Sequence, residues 1–365
     1  MQIKDITQYL ETIAPLALQE SYDNSGLIVG DRQTPVKGIL ISLDCTEEVV
    51  QEAIEKGCNL IVSHHPIVFS GLKKITGANY IERVVIKAIQ NNIALYAIHT
   101  NLDNVLKSGV NGKIAEKLGL KNTRILSPKG EILCKLVTYC PTAQADALRQ
   151  AIFEAGAGVI GNYDQCSFNS DGIGTFRGND GADPFVGKVG ELHKENEVRI
   201  ETVFPAWAQN SVVAALLAAH PYEEVAYDVY ALKNKHPQTG AGIIGSLSDE
   251  MDANVFLEHL KNTMKADGIR YTSYAKKIKT VAVCGGSGSF LLRDAMAQKA
   301  DVLVTADFKY HQFFDAEGRI MIADIGHYES EQYTIELLGE ILNKKFTTFA
   351  VLFTQVNTNP VNYYK

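Results

Sequence analysis

The sequence predicts an α/β protein: a duplicated α/β main domain with sheets flanked by helices, and a smaller inserted α+β domain. Three observations predict this architecture. Short apolar runs rich in valine and isoleucine alternate with amphipathic helical segments in the first third of the chain, and the last third repeats that alternation. The middle of the chain has a different order of elements. Apolar strands separated by amphipathic helices are typical of βαβ units, whose sheets are covered on both faces.

The first third contains three predicted strands, at 38–44, 59–66 and 93–103. A helical segment separates each pair of neighbouring strands. Thr46 is followed by two glutamates, which is the pattern of a helix N-cap before an acidic first turn. We therefore expect two successive βαβ units in this part of the chain.

The last third contains three corresponding predicted strands, which begin near residues 280, 301 and 320. Residues 56–63 can be aligned with residues 298–305. Residues 93–100 can likewise be aligned with residues 320–327. We interpret the main domain as a duplicated unit whose two halves contribute their strand ends to one site. Chance similarity between two βαβ segments is the alternative at this point.

The middle of the chain is predicted to be a separate inserted domain over residues 127–236. It leaves a discontinuous main domain formed by residues 1–126 and 237–365. The insert reads strand, helix, strand, strand, helix, strand, which is the order of a ferredoxin-like domain. Surface loops tolerate such insertions because closing a longer loop costs little additional entropy.

The composition excludes several classes of protein. The 365 residues carry a formal net charge of −7, which argues against a protein that mainly grips nucleic-acid phosphates. No apolar run reaches the roughly 18–20 residues that a transmembrane helix needs. The six cysteines form no Cys-x-x-Cys pair. We therefore expect a reduced, cytoplasmic protein rather than a zinc-finger, secreted or membrane protein.

Two adjacent histidines are the first candidate site residues. His64 and His65 follow an apolar predicted strand and precede Pro66. Because the chain turns at a strand end, both imidazoles can face the crevice where open α/β sheets bind ligands. An exposed histidine pair beside a turn is the alternative interpretation.

Three further candidates also lie at predicted strand ends. Asp103 follows one strand, and His327 and Glu331 lie one helical turn apart after another. Each of them alone is equally consistent with a turn, a cap or a simple i,i+4 contact. The full set of three imidazoles and two carboxylates suits Zn²⁺, Fe²⁺, Mn²⁺, Co²⁺ or Ni²⁺. Five side chains are too many for one tetrahedral ion, so we expect two ions bridged by a carboxylate and a water.

Several segments of the chain resemble the Nif-three-like family, whose bacterial members are named GTP cyclohydrolase 1 type 2 homologues. They are DNSGLIVG (23–30), ISLDCT (41–46), VSHHPIVF (62–69), AIHTNLD (97–103), GSG (286–288), TADFKYH (305–311) and IGHYESE (325–331). The resemblance covers about 250 residues at both ends of the chain. It implies a dinuclear metal site held by His64, His65, Asp103, His327 and Glu331, with Zn or Fe favoured. It also implies a homohexamer shaped as a ring or cage.

The insert resembles the domain found in the longer members of that family, which is similar to the PII and CutA signalling proteins. The segments GIGTFRG (172–178) and HPYEEVAYDVY (220–230) carry this resemblance. The main domain departs from the family pattern at Ala306, where glycine usually precedes the aspartate. We expect that departure to leave the metal ligands unchanged.

A second tier of residues lies close to the predicted site. His99 and His311 are candidates to orient a ligand, move a proton or bind substrate, and each is also explained as a structural histidine. Asp23, Asn24 and Asp44 are candidates to line the crevice, with turn or cap roles as the alternative. The GGSGS segment (285–289) is interpreted as a tight turn rather than a phosphate-binding loop.

Two functions are compatible with the sequence. The first is a metal-dependent hydrolase acting on a nucleotide-like substrate, with GTP ring opening implied by the resemblance alone. The second is a non-catalytic regulatory or metal-handling protein whose insert senses a small ligand or builds the oligomer. The sequence leaves open whether the protein is an enzyme, which carboxylate bridges the ions and which group acts as general acid or base. No membrane partner is expected, and nucleic-acid binding is disfavoured by the acidic charge.

Overall fold

The computed structural model describes residues 1–364. The chain forms two compact units. The main unit consists of Met1–Ser127 and the chain from Gln238 onward, and the inserted unit is Pro128–Pro237. The predicted mixed α/β fold, with several sheets flanked by helices, is confirmed. Within the described residues, no helix is both long enough and apolar enough to cross a membrane.

The secondary structure is numbered along the chain. The strands are β1 (Gly26–Val29), β2 (Gly38–Ser42), β3 (Leu60–Ser63), β4 (Ala94–Ala97), β5 (Lys121–Pro128), β6 (Leu133–Pro141), β7 (Ser167–Phe176), β8 (His193–Pro205), β9 (Tyr227–Leu232), β10 (Gly240–Met251), β11 (Arg270–Tyr271), β12 (Ile278–Ser287), β13 (Val302–Ala306), β14 (Met321–Asp324) and β15 (Ala350–Phe353). The α-helices are α1 (Ile3–Ile13), α2 (Glu47–Glu55), α3 (Tyr80–Gln90), α4 (Thr100–Asp103), α5 (Val110–Lys117), α6 (Ala145–Glu154), α7 (Gln209–Ala219), α8 (Ala253–Met264), α9 (Leu292–Ala297), α10 (His327–Glu331) and α11 (Thr334–Lys345).

The main unit contains two sheets with the same central arrangement. The first has the order β1-β4-β3-β2-β15, and the second has the order β11-β14-β13-β12-β10-β5. In each sheet three neighbouring strands run parallel, and a short antiparallel strand pairs with the last of them. The sheets differ on the other side, because β15 is parallel to β2 whereas β10 is antiparallel to β12. The parallel strands therefore bring their carboxyl ends to one edge of each sheet.

Apolar packing fixes the strands in place. Every residue of β3 and β13 is buried, as expected for parallel strands covered on both faces. One core contains side chains from both sheets and from α1, α5, α8 and α11. The outer face of the first sheet packs on α2 and α3. Thr46 caps α2 as predicted, since its side chain accepts a hydrogen bond from the Val49 amide.

The inserted unit has one four-stranded antiparallel sheet with the order β7-β8-β6-β9. Its elements follow the chain order β6, α6, β7, β8, α7, β9. A separate apolar core joins this sheet to α6 and α7. Because the core residues of β8 alternate along the strand, one face of the sheet packs on the helices and the other carries polar side chains.

Candidate metal centre

The predicted ligand side chains lie just after the ends of three strands, β3, β4 and β14. His64 and His65 directly follow β3, and Asp103 is the last residue of the short helix α4 that follows β4. His327 and Glu331 are the first and last residues of α10, which follows β14. Two of these strands belong to one sheet of the main unit and the third belongs to the other.

All five side chains come together in two groups of potential metal ligands. The inner group is His64, Asp103 and Glu331, and the outer group is His65, His327 and Glu331. Within each group the ligand atoms lie within 4.8 Å of one another. Glu331 belongs to both groups, with Oε1 toward His64 and Oε2 toward His65 and His327. Among the described residues, Glu331 is therefore the carboxylate that the inner and outer groups have in common.

The inner group has a fully buried imidazole beside Asp103, whose side chain is 22% exposed, and two of its buried atoms are unpaired. His64 is 0% exposed, and its Nε2 lies 3.7 Å from Asp103 Oδ1 and 3.7 Å from Glu331 Oε1. Among the described residues, neither His64 Nε2 nor Asp103 Oδ1 has a hydrogen-bond partner, although both atoms are buried. Buried polar atoms are rarely left unpaired, so these two atoms fit a bound cation between them.

The outer group is nearer to solvent. The His65 side chain is 15% exposed and that of His327 is 43% exposed, against 3% for Glu331. His65 Nε2 lies 2.9 Å from Glu331 Oε2, and His327 Nε2 lies 3.2 Å from the same oxygen. One carboxylate oxygen therefore faces two imidazole nitrogens, in the direction where a second cation fits.

The Nδ1 atom of each ligand histidine is held by a protein acceptor. His64 donates to the Ile98 carbonyl at 2.8 Å. His65 donates to Asp44 Oδ1 at 2.7 Å, and His327 donates to Asp307 Oδ2 at 2.6 Å. Such contacts fix the ring orientation and direct Nε2 toward the ligand cluster, as in known metal sites. The sequence analysis named Asp44 as a lining candidate but assigned no role to Asp307.

Burial and charge separate the pKa values of the histidines. Burial lowers the pKa of His64, which has only a backbone carbonyl on its Nδ1. Burial also opposes the charged form of His65, but hydrogen bonds to Asp44 and Glu331 outweigh it and raise its pKa to about 10. The same balance, with Asp307 and Glu331, raises the pKa of His327 to about 11. Without a metal ion the outer imidazoles are therefore protonated at neutral pH, and the inner one is neutral.

The two carboxylates have pKa values that move in opposite directions. Burial and the neighbouring Glu331 charge raise the pKa of Asp103 well above its ordinary value. Burial also disfavours the ionised form of Glu331, but the close imidazoles of His327, His64 and His65 hold its pKa well below the usual range. Strongly perturbed carboxylates in a cleft are typical of functional sites.

His99 is a further imidazole at this site. It forms a third group of potential ligands with His64 and His65, and its ring lies 5.3 Å from each of theirs. Its Nδ1 contacts Asp23 Oδ1 at 2.8 Å, and the Asp23 side chain is fully buried. His99 therefore has the same carboxylate-held arrangement as His65 and His327. Its position four residues before Asp103 is the sequence signal that could have ranked it higher.

The remaining second-tier residues lie elsewhere or have structural partners. His311 is exposed, contacts the Tyr310 ring edge-to-face and belongs to none of the three ligand groups. The Asn24 side chain donates to the Val68 carbonyl at 2.6 Å. In the glycine-rich segment, the amides of Gly285 and Gly286 donate to Asn111 and Ser330. These amides are therefore already paired with protein acceptors.

Gly286 provides the space in which Glu331 lies. A Cβ atom at this position would be 2.5 Å from Glu331 Oε1 and 3.2 Å from Cε1 of His327. Gly286 also has a φ of +60°, in the left-handed region that favours glycine. The shared carboxylate therefore depends on a residue with no side chain.

The ligand groups open into a cavity of about 1140 Å³ in the main unit. Aromatic side chains line it, and Arg270 is its one lysine or arginine among the described residues. Residues near the end of the chain also line this cavity. Thr358 donates to Asp44 Oδ2 at 2.6 Å, and Asn359 donates to Glu329 Oε1 at 3.1 Å. The cavity thus offers apolar surface, the guanidinium of Arg270, which pairs with Asp324, and a cluster of ligand atoms to a bound molecule.

The fold and the site define an α/β protein with a histidine and carboxylate cluster of the kind that holds metal ions. A sequence model described as Duf34/NIF3 (NGG1p interacting factor 3) matches residues 1–360. The chain therefore belongs to the Duf34/NIF3 family.

Full-length relatives support this assignment. The chain is 39% identical to a Bacillus subtilis protein named GTP cyclohydrolase 1 type 2 homolog, over 99% of this chain and 98% of that protein. A crystal structure of a Bacillus cereus protein related to NIF3 is 40% identical and superimposes with a TM-score of 0.87, covering 100% of this chain and 99% of that one. The Staphylococcus aureus protein SA1388 is 33% identical, with a TM-score of 0.78 and coverage of 100% and 99%.

Proposed function

We propose that the protein binds two divalent metal ions, one in the inner group and one in the outer group, with Glu331 as the bridging ligand. The unpaired atoms His64 Nε2 and Asp103 Oδ1 are the observation that carries this proposal. Ligand bonds of about 2.0–2.2 Å place two donors of one ion roughly 3–3.5 Å apart, close to the 3.7 Å between these atoms. The mixed imidazole and carboxylate set contains no thiolate and suits Zn²⁺, Fe²⁺, Mn²⁺, Co²⁺ or Ni²⁺, of which we propose Zn²⁺ or Fe²⁺.

The activity we propose is metal-dependent hydrolysis of a nucleotide-like substrate. The name shared by the Bacillus relatives supports this class of substrate. The cavity also supports it, since aromatic rings can stack on a base. Arg270 already pairs with Asp324, but its side chain is 61% exposed and can also contact an anionic group. A pair of divalent ions supplies Lewis acidity and lowers the pKa of water at such a site.

The protein's own side chains orient the ligand histidines and provide a group that can exchange a proton. The acceptors on Nδ1 of His64, His65 and His327 fix three imidazoles before any ligand binds. His99 lies beside these rings with its Nδ1 held by Asp23, so its Nε2 can exchange a proton with a bound molecule.

Elemental analysis tests the metal proposal. Protein purified without chelators or nickel resin should contain about two first-row metal ions per chain. His327→Ala removes one donor of the outer group and should lose about one ion, whereas His311→Ala, at an exposed histidine outside the groups, should lose none. No bound metal in the wild-type protein, even after reconstitution, would contradict the proposal.

Hydrolysis is tested separately, on protein whose metal content has been measured. GTP and a panel of phosphoesters are incubated with the metal-loaded wild-type chain and with Asp103→Asn. We expect product with the wild-type chain and a loss of at least about tenfold in rate with Asp103→Asn. Full metal occupancy without any turnover would reject the hydrolase while leaving the metal site intact.

A non-catalytic regulatory or metal-handling role is the second candidate function. A second cavity, which lies wholly within the inserted unit, favours it because such a unit can sense a small ligand. We propose that this unit is the PII- and CutA-like domain that the sequence resembles. We also propose that the chain forms a homohexamer, and the exposed rings of Phe290, Tyr310 and Phe314 support an interface on the main unit.

A further inference from the structure

We propose that the inserted unit contains a binding site for a small organic cation, a protonated amine joined to an apolar group. The site is a cavity of about 750 Å³. It is lined by residues 172–178 at the end of β7 and by the segment that follows α7. These are the two segments that the sequence analysis singled out in the insert, and the metal centre uses neither of them.

Glu197 on β8 is the central residue of this site. It lines the cavity although it is only 8% exposed. Tyr222 donates its hydroxyl hydrogen to Glu197 Oε1 at 2.8 Å, while Oε2 receives no hydrogen bond from any residue that the structure describes. No lysine, arginine or histidine of residues 1–364 forms an ion pair with this carboxylate. A buried carboxylate is costly without a cationic partner, so a ligand that brings the positive charge fits this position.

The glycine-rich end of β7 makes room for this carboxylate. Gly172 pairs with Glu197 across the β7–β8 ladder, and Gly174 lies next to it on the same face of the sheet. A Cβ atom at position 174 would lie 2.1 Å from Glu197 Oε2. Residues 172–178 therefore leave space for Glu197, and the segment that follows α7 supplies the Tyr222 hydroxyl that donates to it.

Aromatic rings form the wall beside the carboxylate. The Tyr222 ring lies 5.7 Å from that of Phe176 and 6.4 Å from that of Phe185, and all three residues line the cavity. The negative faces of aromatic rings attract ammonium groups, and their surface also packs against apolar groups. A carboxylate beside several rings is therefore suited to an ammonium group with an apolar body.

The charges around the cavity also favour a cation. Its lining contains two arginines and a larger number of acidic residues, namely Asp171, Asp180, Glu197, Glu223 and Glu224. One of the arginines, Arg199, is already paired with Glu201 at 2.8 Å. A metal ion is a poor occupant, because in the described part of the chain every group of three close metal-ligand side chains belongs to the main unit. The lining therefore favours an organic cation.

Calorimetric titration of the full-length protein with 2-phenylethylamine tests this proposal. The neutral 2-phenylethanol and the anionic 3-phenylpropionate keep the phenylethyl group and replace the ammonium group with a neutral or a negatively charged one. Glu197→Gln keeps the size of the side chain and removes its charge, and Glu154→Gln removes an exposed charge outside the cavity lining. Gly174→Ala is a second variant that displaces the carboxylate without changing any charge. Thermal unfolding of each variant shows whether it is folded.

We expect the amine to bind the wild type and Glu154→Gln equally, and to bind Glu197→Gln and Gly174→Ala at least about tenfold more weakly. The alcohol and the anion should bind at least tenfold more weakly than the amine. Equal binding of the amine to Glu197→Gln and wild type would overturn the proposal, as would no binding of the amine at millimolar concentration. Tighter binding of guanosine than of the amine would assign the cavity to a neutral nucleobase and would also overturn it.

Discussion

The inner and outer ligand groups share Glu331 but differ in every other respect. The inner imidazole, His64, is fully buried, is held by a backbone carbonyl and has a lowered pKa. The outer imidazoles, His65 and His327, are held by carboxylates, have raised pKa values and lie closer to solvent. The comparison teaches that two ions bound here would not be equivalent. On the proposed function, we expect the inner ion to exchange more slowly than the outer ion, whose imidazole ligands are nearer to solvent.

Removing the carboxylate of Glu331 should prevent metal binding at both groups. Glu331→Gln removes the carboxylate that the two groups have in common, so metal content should fall from about two ions per chain to nearly none. Elemental analysis measures this loss. Glu329→Gln is the matched control, because Glu329 is buried on the same helix and belongs to neither group. Retention of one tightly bound ion in Glu331→Gln would contradict a bridging role.

Metal affinity should depend more strongly on pH at the outer group than at the inner group. The pKa values of His65 and His327, about 10 and about 11, lie above neutral pH, so an outer ion must displace protons and its affinity should fall as pH falls. The expected change is about tenfold per pH unit for each displaced proton. His64 has a lowered pKa and releases no proton, although the raised pKa of Asp103 allows the inner group to release one.

Calorimetry in two buffers of different ionisation enthalpy counts these protons. Wild-type protein should release more protons for its second ion than for its first, and His327→Ala should lack the second phase. Equal proton release in both phases would show that the two groups are electrostatically alike.

Weakening one orienting contact should produce the smallest effect and confine it to the outer group. Asp307→Asn removes the negative charge from the acceptor of His327 Nδ1, so outer-ion affinity should fall by about 10- to 100-fold. Asparagine also tolerates the φ of +60° at this position. Competition with a chromophoric chelator measures both affinities, and Asp315→Asn, at an exposed aspartate nearby, is the control. An equal loss at the inner group would mean that Asp307 acts through the whole cluster.

The general fold and the identities of the candidate ligands could be predicted from local sequence. The strands of the main unit are short runs of apolar residues, and parallel strands must end at a common edge, so polar residues that follow them collect there. His64, His65, Asp103, His327 and Glu331 could be selected for this reason. The number of ligands gave the expectation of two ions, and the family resemblance implied the same dinuclear site.

The residues that orient the histidines, and the sharing of Glu331 between the two groups, could not be predicted, because they depend on contacts between residues that are distant in the sequence. Asp44, Asp307 and Asp23 have ordinary turn positions in the sequence, yet each one orients a histidine that lies 20 or more residues away. The sharing of Glu331 depends on the packing of α10 against Gly286. These pairings arise only when the strands of the two sheets have assembled.

The wide separation of the ligands along the chain has a consequence for the making of the protein. Roughly 230 residues separate Asp103 from Glu331, so at ~5–20 residues per second a ribosome needs roughly 10 to 45 s to pass from one to the other. His64, His65 and Asp103 emerge early, but neither ligand group exists until α10 has been translated. On the proposed function, metal loading of these two groups is therefore a late event in biosynthesis, although the His64, His65 and His99 side chains are translated early.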